Sequence, residues 1–315
     1  MAAPAIGALG ELLVEFVAED KGTRHLRPTR YAGPFPSGAP GIFIDQAARQ
    51  GARAHFAGAV GDDAFGRVVL DRLAQAGVAR GLIRTVPGLP TGSAFVAYDA
   101  DGSRDFVFNI AQSAAARLPA ADEIAAGFAA AGVGCVHVSG SVLGDPSMRA
   151  TVVAVCAATK ARGARVSLDP NLRAELTGDP GYRAALEGLL GIADYVLPSD
   201  ADAEALWPGA FDDWAPGLLA RGARAVVLKR GADGAVGLDA TGRHAVAGHA
   251  VPVVDPTGAG DSFCATLVTA LEGGAPLGDA LIRANAAGAL AVQALGPMEG
   301  NSTPAEIDAF LGGRG

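Results

Sequence analysis

An α/β fold is what the sequence predicts: a mostly parallel β-sheet with helices on both faces and a small extra β-sheet. Three observations carry this. From about residue 133 onward, short apolar runs alternate with segments whose apolar residues recur at helical spacing, the pattern of a parallel sheet built from strand–helix–strand units. Half of the 315 residues are hydrophobic and 18% are charged, enough to bury a core in one domain without disulfides or metal. Two early stretches, about 10–35 and 92–110, break the alternation and read as strand pairs.

Residues 5–18 (AIGALGELLVEFVA) read as a buried strand running into a second one. Residues 20–38 are polar and hold three prolines, so an irregular or edge segment is expected. A helix is expected over 39–51, with Ile42, Ile44, Ala47 and Ala48 on its apolar face and Gly51 ending it. ARAHFAGAVG reads as a strand and 63–76 as an amphipathic helix closed by Gly77. TGSAFVAYDA, a turn at Asp101-Gly102 and SRDFVFNI then form a hairpin. Strands VGCVHVSG, RVSLDP, DYVLPS and RAVVLKRG alternate with helical residues 145–162, 182–190 and 200–220. AVGLDA and RHAVAG read as a second hairpin, AVPVV as a strand, and 260–272, 276–293 and 304–311 as helices. The whole chain, 1–315, reads as one domain. Its early strand pairs are expected to lie as a lid over the carboxyl edge of the main sheet, where ligands of such sheets bind.

Composition excludes several function classes. A net charge of -8 argues against a nucleic-acid binder, which carries a basic patch. Cys135, Cys156 and Cys264 are far apart and odd in number, so neither a zinc site nor a disulfide framework is expected. Reduced thiols point to the cytoplasm. Glu11, Glu15 and Glu19 interrupt the first apolar run, which lacks a basic flank, so no signal peptide or membrane span is expected there.

The chemistry concentrates in Asp255-Pro256-Thr257-Gly258-Ala259-Gly260-Asp261-Ser262-Phe263. A strand feeds a Gly-rich turn, and a helix opens at about 260. Free backbone N–H groups at a helix start form an anion site, and Gly258 and Gly260 let the backbone approach a phosphate closely. A carboxylate there repels a bound phosphate unless it has another task. The economical task for Asp261 is to accept a proton from a hydroxyl that attacks a phosphoryl group.

This segment resembles the C-terminal signature of the ribokinase-like (PfkB) sugar kinases. Thr266 departs from it, standing where that family usually has Gly or Ala. Residues 37–66 look like the family's N-terminal signature, and Lys229-Arg230-Gly231 with Gly234 like its nucleotide-side turn. No Walker A pattern is present. The resemblance covers nearly the whole chain. It implies a ribokinase-like fold, ATP and Mg²⁺ as cofactors, K⁺ as an optional one, and catalysis by Asp261 with the turn Gly258, Ala259 and Gly260.

By the same resemblance, Lys229, Gly231, Gly234, Asn285 and Ser199 fall on the nucleotide side. Glu15, Gly38, Asp45, Arg104, Asn171 and Arg173 fall on the sugar side with Asp261. The family's Asn-x-x-Glu motif, which organises magnesium and phosphate, is here Ser199-Asp200-Ala201-Asp202 followed by Glu204. Either Asp202 or Glu204 then serves Mg²⁺ through water, while Ser199 has a plain alternative as a helix cap. Backbone carbonyls of Asp255 and Thr257 are candidates for a monovalent cation.

The sugar side departs further. The family's sugar-binding Asn is Ile42, and Asp45, one turn on, either replaces it or is a helix-surface acid. Arg173 holds a sugar carboxylate, the ATP phosphates, or Glu175. The stretches FPSGAPGIFIDQ, TGSAFVAY, DGSRDFVFN and GPMEG look most like the tagatose kinase branch, with 2-keto-3-deoxygluconate kinases and fructokinases as alternatives. The expected acceptor is the terminal hydroxyl of a ketohexose. A non-catalytic sugar sensor on the same fold is the different-class alternative. Phe95, Tyr98, Phe106 and Phe108 are candidates for an exposed lid face, and hence for a homodimer.

Overall fold

The structure, a computed structural model, describes residues 3–100, 103–173 and 176–313. The expected Asp101-Gly102 turn and Glu175 lie outside the described residues. Along the chain come β1 (Ala5–Leu9), β2 (Leu13–Ala18), β3 (Tyr31–Ser37), α1 (Ala39–Arg49), β4 (Arg53–Gly61), α2 (Ala64–Gln75), β5 (Ala79–Val86), β6 (Gly92–Tyr98), β7 (Arg104–Asn109) and α3 (Ala121–Ala130). Next are β8 (Cys135–Ser139), α4 (Pro146–Ala161), β9 (Arg165–Asp169), α5 (Pro180–Leu190), β10 (Tyr195–Val196), α6 (Asp200–Leu206), α7 (Phe211–Ala220) and β11 (Ala225–Lys229). The chain ends with β12 (Ala235–Asp239), β13 (Gly242–Val246), α8 (Ala259–Glu272), α9 (Leu277–Ala291) and α10 (Pro304–Gly312).

The described residues form a large sheet of order β13-β12-β11-β10-β9-β8-β1-β4-β5. Pairs from β5 to β11 are parallel, and the β11-β12-β13 edge is antiparallel. Central strands β1 and β8 are buried at every position, as strands covered on both faces must be. Two large core clusters result, with a small third one between α9 and α10. One packs α4, α5 and α7 against the sheet, and the other packs α1, α8 and α9. Among the described residues no helix is long and apolar enough to cross a membrane.

A separate sheet of order β3-β2-β6-β7 forms the expected lid. Its register sorts the side chains. Phe16, Phe95 and Val107 are cross-strand neighbours on one face, and Glu15, Ala94 and Phe108 on the other. The second face also carries Phe106 and Arg104 and roofs the main cavity. Of the four residues expected on an exposed lid face, only Phe95 lies on the outer one. Phe106 and Phe108 line the cavity, and Tyr98 turns its hydroxyl inward to Asp255.

Other expectations are corrected. The segment 20–38 contains a regular edge strand, β3, paired with β2. AVPVV forms no strand. It is an irregular connector with Val253 and Val254 exposed, held by the Val254 N–H donating to the Val292 carbonyl. Helical residues 200–220 split into α6 and α7 around Pro208-Gly209, which cannot continue a helix cheaply. Edge strand β5 and helix α3 were not anticipated. Exposed Arg80 and Arg84 on β5 mask its period-two pattern.

Candidate active site

A cavity of about 870 Å³ opens where β1, β8, β9 and β11 end, between the sheet, the lid and the start of α8. One wall is the Gly-rich turn. Gly258 precedes the first residue of α8 at φ 83°, and no side chain caps the helix there. A Cβ on Gly258 would stand 2.2 Å from the Pro297 carbonyl oxygen, so only glycine fits both the space and the backbone. Gly258, Gly260 and Asp261 line the cavity, so the start of α8 is at its wall, and the helix dipole adds positive potential there.

Asp261 sits in this first turn, buried, and lines the cavity. Among the described residues its carboxylate has no hydrogen bond or ion pair. Burial pushes its pKa up to about 8, helped by the negative charges of Asp169 and Glu11 and opposed by Lys229 and Arg173. Such a group takes up a proton readily near neutral pH.

Lys229, at the end of β11, forms a buried ion pair with Asp169 at the end of β9. Its ammonium lies 3.8 Å from the place a Cβ on Gly260 would occupy, so a cation stands beside the anion turn. Ser199 and Asp202 form a capping box. Asp202 Oδ2 accepts from the Ser199 N–H at 2.8 Å and from its hydroxyl at 2.7 Å, while Oδ1 accepts from the Leu172 N–H at 2.7 Å. Asp202 lines the cavity, but both its oxygens are engaged, so it suits contact with a metal through water rather than directly. Glu204 is exposed and outside the cavity, because it lies two residues on from Asp202 and faces solvent. Among the described residues no cluster of three or more His, Cys, Asp or Glu side chains converges as a metal site. These residues fit a hydrated ion that phosphates help to hold.

Asp255 is fully buried. It accepts from the Tyr98 hydroxyl, from the Thr257 N–H at 2.9 Å and from the Gly296 N–H at 3.1 Å. Its side chain is thus spent on shaping the turn, and only its carbonyl and that of Thr257 are left for a cation. Gly231 lines the cavity and Gly234 does not; the near approach at Gly234 is to the Val246 carbonyl. Asn285 also lies outside the lining and donates its amide to the Ala247 carbonyl at 2.7 Å.

The other half of the cavity holds Glu11, Glu15, Gly38, Ile42, Arg104, Asn171 and Arg173. Gly38 lets α1 start against the Glu11 carbonyl, where a Cβ would stand 2.5 Å away. Glu15 accepts from the Ser37 hydroxyl at 3.1 Å. Burial and the charge of Asp255 push its pKa up to about 7. Asn171 donates to the Ser139 hydroxyl at 2.8 Å and orients the loop that carries Arg173. Arg104 lies over Phe106, and Arg173 over Phe108. Among the described residues neither guanidinium is in an ion pair.

Asp45 is the clear correction. It is 0% exposed, ion-paired with Arg49 and Arg72, and accepts from Asn301 at 2.8 Å. An acid in an apolar helix needs partners, and here they come from the end of α1 itself, from α2 and from the loop after α9, none of them lining the cavity. Glu11 lines the cavity and was missed: it looked only like a charge interrupting an apolar run, although an acid at the end of a buried strand was the available signal. Tyr98, outside the lining but bonded to Asp255, looked like an apolar lid residue.

Residues 9–304 match the pattern of the pfkB family carbohydrate kinases. The chain belongs to this family. The kinase is 33% identical to a fructokinase of Klebsiella pneumoniae, over 93% of this chain and 94% of the relative. It is 31% identical to a 2-dehydro-3-deoxygluconokinase of Bacillus subtilis, over 96% and 94%. It is also similar to the crystal structure of a candidate ribokinase II from E. coli in complex with ATP and Mg²⁺, with 38% identity, a TM-score of 0.91 and coverage of 98% and 99%. The ribokinase-like α/β fold and the sugar-kinase chemistry implied by the GAGD turn both stand.

Proposed function

We propose that this carbohydrate kinase transfers the γ-phosphoryl group of ATP to the terminal hydroxyl of a ketohexose of the D-tagatose type, in the cytoplasm. The observation that carries the reading is Asp261, an unpartnered buried carboxylate beside the first-turn amides of α8. As the sugar oxygen bonds to the γ-phosphorus, Asp261 accepts the hydroxyl proton, and the bond to the bridging oxygen breaks to leave ADP. The amides of Ala259, Gly260 and Asp261 stabilise charge on the moving phosphoryl group. Lys229, with Ser199 and Gly231, faces the phosphates. Mg²⁺, held through water near Asp202, would neutralise phosphate charge. A monovalent cation such as K⁺ beside the carbonyls of Asp255 and Thr257 belongs to the same proposal.

Glu11 and Glu15 support a neutral sugar, because each, when ionised, disfavours a substrate carboxylate. A charge pair 4 Å apart at an effective dielectric of 20 is worth about 4 kcal/mol. The two guanidiniums without ion pairs support a second reading, a 2-keto-3-deoxy sugar acid. The test is ADP formation with D-tagatose, D-fructose and 2-keto-3-deoxygluconate side by side. The expected result is the highest kcat/KM for D-tagatose. A higher value for the keto acid overturns the choice, and sugar binding without ADP formation would make the protein a sensor.

The kinase is also proposed to pair into a homodimer through its lid, where Val107 on the outer face is 44% exposed beside Phe95. Light scattering is expected to return twice the chain mass, and a monomer mass at assay concentration counts against pairing.

A further inference from the structure

Glu11 stands where β1 gives way to the lid, at the cavity's floor. Its Oε1 accepts from the Ser141 hydroxyl at 3.0 Å. Its Oε2 is buried with no hydrogen-bond partner, and the residue is only 6% exposed. Glu15 repeats this arrangement one turn of the cavity wall away: one oxygen takes Ser37 and the other, Oε1, has no partner. A buried carboxylate oxygen without a donor is costly, and both residues line one cavity, so a ligand that brings donors would relieve them. Arg173 acts electrostatically on both acids, and Glu11 acts on Asp261. Glu11 and Asp261 line the same cavity.

We infer that Glu11 is a specificity-determining residue, whose free oxygen accepts a hydrogen bond from one particular sugar hydroxyl. The inference rests on the sugar-kinase reading above. Its chemical content is a demand for a hydroxyl: a substrate that lacks this group leaves the buried oxygen unpaired. A site built to bond a hydroxyl rejects the deoxy analogue far more strongly than a merely apolar pocket rejects an extra group. Serving as an acceptor, Glu11 acts on the substrate and not through Asp261, so its effect must depend on which hydroxyl the sugar carries.

The experiment is a cycle between residue and substrate. Wild type, Glu11→Gln and Glu11→Ala are assayed with the sugar that wild type phosphorylates fastest and with its set of monodeoxy analogues. ATP KM and unliganded melting temperature serve as folding controls. In wild type, one analogue is expected to lose roughly 10–100-fold in kcat/KM, the worth of one charge-assisted hydrogen bond. In Glu11→Ala that penalty is expected to shrink to within about threefold, with ATP KM unchanged. Loss of activity by the same factor for every analogue, in both variants, overturns the inference, as does a variant indistinguishable from wild type. If the fastest sugar proves to be a keto acid, the ketohexose reading fails, while Glu11 is still judged by the same analogue-specific loss.

Discussion

Asp261→Asn is expected to lower kcat by roughly 10²–10⁴-fold, the usual worth of a positioned base, while ATP and sugar still bind. Asn keeps the shape and cannot take the proton. The pH profile gives a second readout. The Asp261 carboxyl is pushed up to about 8 by burial first and the neighbouring acids second, and only its ionised form is a base. Wild-type kcat/KM is therefore expected to rise with pH until about 8, and the residual activity of the Asn variant to lack that rise. Stability has the opposite sign. An acid whose pKa is raised by folding holds a proton that the unfolded chain has released, so stability falls as pH rises from about 3.8 to about 8. The Asn variant, with no proton to lose, is expected to melt no lower than wild type at the top of that window. Wild-type turnover in the variant would sink the base assignment, and a collapsed melting temperature would show that Asp261 holds the fold instead.

Lys229→Ala is expected to cost about 3–5 kcal/mol of stability, the toll of stranding one partner of a buried ion pair. Its partner Asp169 is 4% exposed in its side chain and has Asp202 and Asp261 as like-charged neighbours. Neutralising both partners, as in Lys229→Met with Asp169→Asn, is expected to recover most of that stability in a denaturant melt. The double variant should still lose at least about tenfold in kcat/KM for ATP, because the phosphates then face no ammonium. Recovery of full activity along with stability would reduce Lys229 to a structural ion pair.

The anion turn was legible because everything it needs is local. Gly258, Gly260 and Asp261 lie within one strand-to-helix passage, and their spacing states the geometry. The lid was legible as a break in the strand–helix alternation, although which of its faces looked inward depended on register. Helical spacing could report only Arg49 as a partner of Asp45; the two that bury it, Arg72 and Asn301, are 27 and 256 residues away. AVPVV has the composition of a strand but finds no ladder, since it crosses the end of α9 as a connector. Glu11 was passed over because an acid's value here lies in what its second oxygen lacks. A chain of letters carries no record of a missing partner.

Tyr98 gives the lid a stake in the phosphate site. Strand β6 belongs to the lid, yet the Tyr98 hydroxyl donates to Asp255, and Asp255 in turn holds the N–H groups of Thr257 and Gly296. Were the lid to rise, the first of these bonds would break and leave a buried carboxylate short of one donor, in the segment that leads into α8. A sugar that held the lid down would then favour the same arrangement of the turn, and by reciprocity a ligand seated on the turn would favour the sugar. One phenol thus ties the small sheet to the passage that opens α8.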